Sequence, residues 1–377
     1  PKGESISTPT VRIVDVGNEN RGAQVPEASE PSAASMPSVD PNVTEVVECF
    51  ESKPFKIVLG KIMHEGAEEG KLIEEQVLLP SFEKLMSDIQ EALSKLGRSL
   101  QSSVVVFFYI ANMDSFASLN KIYQRFVGSV SPPPRCCVEV GLGKGEALRI
   151  HLLISPEKEM DGRREVMHVQ SISQWAPSCI GPYSQCVSFN QVLYVSGQIG
   201  LRPWSMTFSA DTLQEELRLA LCHSESVSQA MTVSMKVSLV KLVCFISTGR
   251  LGEGETVEGI GTQIDTFLRA SADKNEFGEN EFRPSEDCTY KYAPLIFYVA
   301  VPKLPKNARV ELHSVSCHSQ GNDWFDSSSL RSTNQDDFEC ANRTVALNGV
   351  GTSSHFCALM LSLDVVDDKG LQDVCSV

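Results

Sequence analysis

The stretch Ile180-Gly181-Pro182-Tyr183-Ser184-Gln185, followed by Val195-Ser196-Gly197-Gln198-Ile199-Gly200, limits the fold more than any other part of this sequence. Gly181-Pro182 imposes a turn with an extended residue before the proline. Val187, Phe189, Val192, Leu193, Tyr194 and Val195 then carry the β-branched and aromatic content of strands around a polar Asn190-Gln191 turn, so the segment reads as a hairpin. At its end Ser196, Gly197 and Gln198 set a hydroxyl, a bare backbone and a carboxamide side by side. Such a trio can hydrogen-bond a small polar ligand, because glycine lets the backbone come close. The same residues also serve as plain turn chemistry.

Around the hairpin the chain has material for two cores: 377 residues with 42% hydrophobic content. Residues 1–45 are rich in Pro, Ser, Glu and Ala without periodicity and read as a disordered acidic linker. A first unit, 46–168, follows. Phe55 to Ile62 reads as a strand, and Leu72 to Leu96 as a helix whose first turn is marked by Pro80 and whose end is Gly97. Val104 to Ile110 is a buried strand. Ser115 is placed to cap a helix with Phe116, Leu119, Ile122, Tyr123 and Phe126 on one face, stopped at Gly128. Pro132 to Pro134 lead extended into a strand from Cys136 to Val140, and Ala147 to Ile154 closes the unit, with Gly141 to Gly145 as a hairpin turn.

The second unit, 169–319, opens with the signature hairpin and continues with a helix from Thr212 to Met231 and a strand from Val233 to Ile246. A Gly-rich acidic insertion within 249–287 surrounds a helix at Ile264 to Ala270. Ala293 to Val301 and Arg309 to Ser316 are the closing strands. The remainder, 320–377, is an acidic tail whose apolar runs Val345 to Val350 and Phe356 to Leu363 are expected to pack partly on the second unit. His355 and Cys357 have no second pair nearby and are not read as a metal site.

Net charge is −15, and its placement excludes one class of partner. Residues 1–50 hold 3 Lys/Arg against 8 Asp/Glu, and residues 320–377 hold 3 against 9, so the tails carry most of the excess. No basic stripe remains for nucleic acid. The 12 cysteines form no C-x-x-C pair, and no apolar run reaches transmembrane length. Those features point to a reducing compartment, the cytoplasm, and to no membrane association.

The paired I-G-P-Y-S-Q and V-S-G-Q-I-G segments resemble the signature of the YjgF/RidA family, the reactive-intermediate deaminases once called endoribonuclease L-PSP. The first unit resembles the same family in N-M-D-S-F at 112–116, L-N-K-I-Y-Q-R-F at 119–126 and P-P-R-C-C-V-E-V at 133–140. The resemblance implies an α+β fold of two tandem RidA-like (chorismate-mutase-like) domains, each a mixed sheet with helices on one face. It places the family's substrate-clasping arginine and nearby cysteine on Arg135 and Cys137, and its hairpin ligand residues on Tyr183, Ser196, Gly197 and Gln198. A guanidinium offers two parallel N–H donors that match a carboxylate, which suits Arg135 to that role. The resemblance puts His151 in the first unit and His313 in the second at the position of the family's water-activating glutamate, each a candidate base.

Each unit thus holds half of a signature: the first lacks the hairpin, and the second has Ile296 and Tyr298 where arginine and cysteine belong. A family-like pocket must therefore join the two halves, by pairing within the chain or in a homo-oligomer. Tandem, divergent RidA-like domains resemble the C-terminal half of eukaryotic diphthine–ammonia ligases. That resemblance implies an accessory role in diphthamide formation on elongation factor 2 through docking, ammonia handling or assembly, with the ligase domain and elongation factor 2 as partners. The alternatives are an imine/enamine deaminase and a structural module. ATP is expected only on a ligase domain preceding this region, since the Ser-Gly-Gly-Lys-Asp-Ser phosphate loop is not in this sequence, and no other cofactor is expected here.

Overall fold

The computed structural model describes residues 42–52, 55–65, 72–155, 164–208, 212–252, 254–269 and 294–317. The first half runs β1 (Val43–Ser52), β2 (Phe55–His64), α1 (Glu75–Lys95), β3 (Ser103–Ile110), α2 (Phe116–Val127), β4 (Arg135–Glu139) and β5 (Glu146–Ile154). These strands form one sheet in the order β1-β2-β5-β3-β4. The second half runs β6 (Arg164–Met167), β7 (Cys186–Phe189), β8 (Val192–Val195), α3 (Leu213–Ala230), α4 (Met235–Ser238), β9 (Leu239–Ser247), α5 (Val257–Arg269), β10 (Leu295–Val301) and β11 (Val310–Cys317). Its sheet is ordered β10-β9-β11-β8-β7-β6. Each sheet is mixed, with one parallel pair, β3 with β4 and β9 with β10, among antiparallel neighbours.

Two periodicities build the layers. On α1, Phe82, Leu85, Ile89 and Leu93 recur at helical spacing and bury against Val58, Val106, Ile150 and Leu152, one parity of the strand residues. Leu217 and Leu221 of α3 with Ile264 and Phe267 of α5 do the same against Leu242, Cys244 and Leu312. Strand residues of the other parity face the opposite sheet. Phe107, Tyr109, Cys136 and Val138 share a core with Phe189, Tyr194, Val243 and Phe245. Phe55 meets Phe189 edge-on at 5.9 Å, and Phe107 meets the His313 ring at 5.1 Å. The result is helices, sheet, sheet, helices, with β3 buried along its whole length because both its faces are covered.

Several expectations are corrected. Residues 1–41 lie outside the described residues, but β1 makes Val43–Ser52 a strand paired with β2 over its full length, so the linker reading ran past its end. The alternation of Val43 and Val47 toward the helices holds β1 in the sheet. Pro80 does not open α1, which begins at Glu75. The proline lies just past the first turn, whose N–H groups are free in any helix, and the buried stripe of α1 holds the helix across it. Ser115 does not cap α2; Asn112 Oδ1 accepts from Asp114 N at 2.9 Å and a 3₁₀ turn leads into the helix. Gly141 to Gly145 is no hairpin turn, since β3 lies between β4 and β5. The strand read over 233–246 is α4 followed by β9, and α5 starts at Val257, ahead of the expected Ile264. β6 pairs with β7, so residues 164–167 belong to the second sheet. Residues 253 and 270–287 of the insertion and all of 320–377, His355 and Cys357 included, lie outside the described residues.

The signature hairpin itself is β7 and β8, and Asn190 and Gln191 take φ of 49° and 65°, the left-handed pair of a two-residue turn. Among the described residues no helix is long and apolar enough to cross a membrane.

Gly200 shows how closely the second half is packed. A Cβ there would lie 2.3 Å from the Glu216 carbonyl oxygen and 2.6 Å from its Cα. Gly200→Ala should therefore cost about 1–3 kcal/mol in denaturant unfolding. Gly141→Ala, with nothing within 4 Å of the added carbon, should stay within about 0.5 kcal/mol of the parent. Equal behaviour of the two variants would contradict this packing.

Candidate functional site between the two sheets

Arg135 enters β4 straight from the triproline and is only 2% exposed. Its guanidinium carbon lies 4.8 Å from the Phe108 ring, 5.0 Å from Tyr123, 5.2 Å from Tyr183 and 5.7 Å from Phe116. Nη2 donates to Asn120 Oδ1 at 2.5 Å. Nε and Nη1 are buried with no hydrogen-bond partner. A buried charged donor left unpaired costs more than the ordinary ~1–3 kcal/mol of an orphaned neutral group. This side chain is thus held in an aromatic cage with donors to spare, which is what an anionic ligand requires.

The second half closes the cage. Gly197 N donates to Arg135 O at 3.1 Å. Gly181 sits against the guanidinium so tightly that a Cβ would come 2.8 Å from Nη2. Phe116, Arg135 and Cys137 from the first half line one pocket with Ile180, Tyr183, Gly197, Pro305 and Glu311 from the second. Glu311 is 3% exposed. Burial pushes its carboxyl up to about 8, against the opposing pull of a hydrogen bond with the Cys137 backbone and of the Arg135 charge. Its Oε2 has no partner. At neutral pH this is a protonated acid, able to give a hydrogen bond or a proton. Gly197 is required here, because a Cβ would fall 1.7 Å from Glu311 Oε1.

The structure thus gathers Arg135, Cys137, Tyr183 and Gly197 in one place. Ser196 and Gln198 lie behind them, where Gln198 Nε2 donates to Ser196 Oγ at 3.0 Å and to Ser196 O at 3.2 Å. Burial pushes the Cys137 thiol up to about 12, so it remains protonated and is no nucleophile. His151 and His313 do not line this pocket. His313 Nδ1 lies 2.6 Å from Val195 O with its ring against Phe107, and the His151 ring packs on Tyr109 at 5.6 Å. Burial lowers both imidazoles to about 3, too weak for a base near neutrality.

Strand register relates the positions of the two halves. Val106 pairs with Arg135 and Leu242 with Ile296, while Phe107 pairs with His151 and Val243 with His313. Overlaying the halves on these pairs matches Arg135 to Ile296, Cys137 to Tyr298 and His151 to His313. The position of Glu311, opposite Phe245, is matched by Arg149, opposite Tyr109. The acidic group is therefore two residues before the expected histidine, on the same face of the strand, where alternation cannot separate them. Asn120 was also missed. Its signal was its place on the α2 stripe, one turn after Phe116 and one turn before Tyr123, where a polar residue on an apolar face asks for a partner.

The family model for Endoribonuclease L-PSP matches residues 54–150 and again 173–250. Among curated proteins the chain is similar to the diphthine–ammonia ligase of Schizosaccharomyces pombe, 32% identical over 162 residues, 43% of this chain and 26% of that protein. It is similar also to the diphthine–ammonia ligase of Saccharomyces cerevisiae, 28% identical over 253 residues, 63% of this chain and 35% of that one. The chain therefore spans only about a quarter to a third of the length of these ligases. The 2-iminobutanoate/2-iminopropanoate deaminase of Dermatophagoides farinae is 29% identical over 140 residues, 37% of this chain and 88% of that protein. One family model matched in each half, on two sheets of corresponding strand order, makes residues 54–150 and 173–250 a tandem RidA-like region.

Proposed function

We propose that this chain is the RidA-like region of a diphthine–ammonia ligase-type protein and that its composite pocket hydrolyses the C=N bond of a small carboxylate-bearing imine. The similarity to two ligases supports the first part. The second rests chiefly on one observation: Arg135, with Nε and Nη1 buried and unpartnered, faces Glu311 from the other half across a shared pocket. A ligand carboxylate supplies the acceptors that the guanidinium lacks. Protonated Glu311 gives its proton to the imine nitrogen, water adds to the carbon, and the carboxylate left behind takes a proton from that water. Glu311 then gives that proton to the amine nitrogen, the C–N bond breaks as the carboxylate takes the hydroxyl proton, and one imine and one water become one carbonyl compound and one ammonia. Ammonia released next to a ligase that consumes it joins the two parts of the proposal, with the ligase domain and elongation factor 2 as the partners it implies.

Glu311→Gln should lower the rate of 2-iminopropanoate hydrolysis by about 10²–10⁴-fold. Arg135→Lys should raise KM for the carboxylate substrate by about tenfold or more, because one ammonium cannot reproduce the planar fork. Wild-type rates indistinguishable from buffer would leave the chain a binding or assembly module.

The pH dependence carries a sign. Glu311 holds its proton in the folded state up to about 8 but releases it near 4.5 when unfolded, so the folded state binds more protons between those values. Stability should fall as pH rises from about 4.5 to 8, and the hydrolysis rate should fall as pH rises through about 8. In Glu311→Gln the first slope should flatten. An unchanged slope in thermal unfolding scans would remove Glu311 as a buried neutral acid.

No nucleotide binding is expected of this region. A micromolar ATP site found by calorimetry would contradict the reading of the sequence in which the phosphate loop belongs to a preceding domain.

A further inference from the structure

A second pocket adjoins the one at Arg135, and Ile180, Tyr183, Gly197 and Ile199 line both, so these residues form the wall that the two share. Beyond that wall the lining is Pro177, Ser178, Cys179, Gln185, Gln198 and Leu201. None of these carries a charge, in contrast to the Arg135–Glu311 end.

The polar atoms on this side can be accounted for one by one. Gln185 closes the floor, with Oε1 accepting from Val169 N at 2.7 Å and Nε2 donating to Val169 O at 2.9 Å. Gln198 spends Nε2 on Ser196, which leaves its carbonyl oxygen Oε1 as the group it offers a ligand. Ser178 Oγ donates its proton to Met206 Sδ at 3.5 Å and keeps oxygen lone pairs. Burial pushes the Cys179 thiol up, so it stays neutral. The compartment therefore presents uncharged groups on apolar walls: Gln198 Oε1 and Ser178 Oγ as acceptors, with the Tyr183 hydroxyl, which accepts from Ile180 N at 3.3 Å, and the weakly donating Cys179 thiol as donors.

We infer that the composite site is built for small 2-imino acids whose side chain ends in a carboxamide, with the carboxylate on Arg135 and the amide N–H groups on Gln198 Oε1 and Ser178 Oγ. A second carboxylate would exchange water for neutral acceptors and lose its hydration uncompensated. A purely apolar side chain would leave the Gln198 acceptor dry and unpaired. Both should be rejected relative to an amide of equal length. The inference rests on the carboxylate clasp proposed above and adds to it the identity of the other end of the ligand.

Three stable probes of matched length separate the cases: hexanoate, glutarate and glutaramate, titrated by calorimetry into the full chain. Glutaramate should bind at least about tenfold more tightly than either of the others, as expected of a site that hydrogen-bonds a donor on its ligand. In Gln198→Leu the preference for glutaramate over glutarate should shrink to within about threefold, and Ser178→Ala, which removes a half-buried hydroxyl on a loop, should reduce it without removing it. Equal binding of the three probes to the wild type overturns the inference and leaves the clasp standing. A preference that survives undiminished in both variants also overturns it. Binding of none of the three to the wild type removes the clasp, and the inference with it.

Discussion

Everything at the site depends on the completion of one strand edge. β4 is the last strand of the first sheet, and its outer side would present unpaired main-chain groups to solvent. The second half supplies the partners: Gly197 N donates to Arg135 O at 3.1 Å, the Glu311 carboxylate is hydrogen-bonded with the Cys137 backbone, and Glu139 N donates to Lys303 O at 3.1 Å. The Lys303 to Asp114 ion pair, 2.6 Å and largely exposed, adds little by itself and serves mainly to fix the register. Because the same edge carries Arg135 and Cys137, satisfying its backbone brings the side chains of the two halves together.

The interface between the sheets also explains why ionisable groups there are displaced from their ordinary values. Lys241 is 2% exposed and burial lowers its amine to about 7, while the Cys136 thiol beside it is raised. Glu311 and His313, on the same face of β11, move in opposite directions for one reason, the loss of water, since burial favours the neutral form of acid and base alike. Around the buried Arg135 guanidinium, aromatic faces take the place of part of its hydration. The buried Arg135 guanidinium thus shares a pocket with a buried acid.

The two halves have diverged unequally around a common plan. Register places Ile296 and Arg149 where a second pocket would need arginine and an acid, so the pocket seen here has no chemical equivalent built from the exchanged positions. One half carries Arg135 and Cys137 and the other the signature hairpin and Glu311, and neither half alone holds all of them. That division places the pocket at the contact between the sheets.

Read alone, the sequence determined the local elements and the family. The signature hairpin, the buried strand from Val104 to Ile110 and the stripes of α1 and α2 follow from periodicity and turn chemistry, which act over a few residues. It also determined that any family-like pocket must be shared, since Arg135 and Tyr183 occur in different repeats. The tertiary structure decided what depends on distance. It placed β3 between β4 and β5, drew Val43–Ser52 into the sheet, and brought Arg135 against Gly181 and Gly197. It also put Glu311, and not His313, in the lining of the pocket. Both lie on one face of β11 and are equivalent by alternation, and only the end of β4, which reaches Glu311 and not its neighbour two residues on, tells them apart.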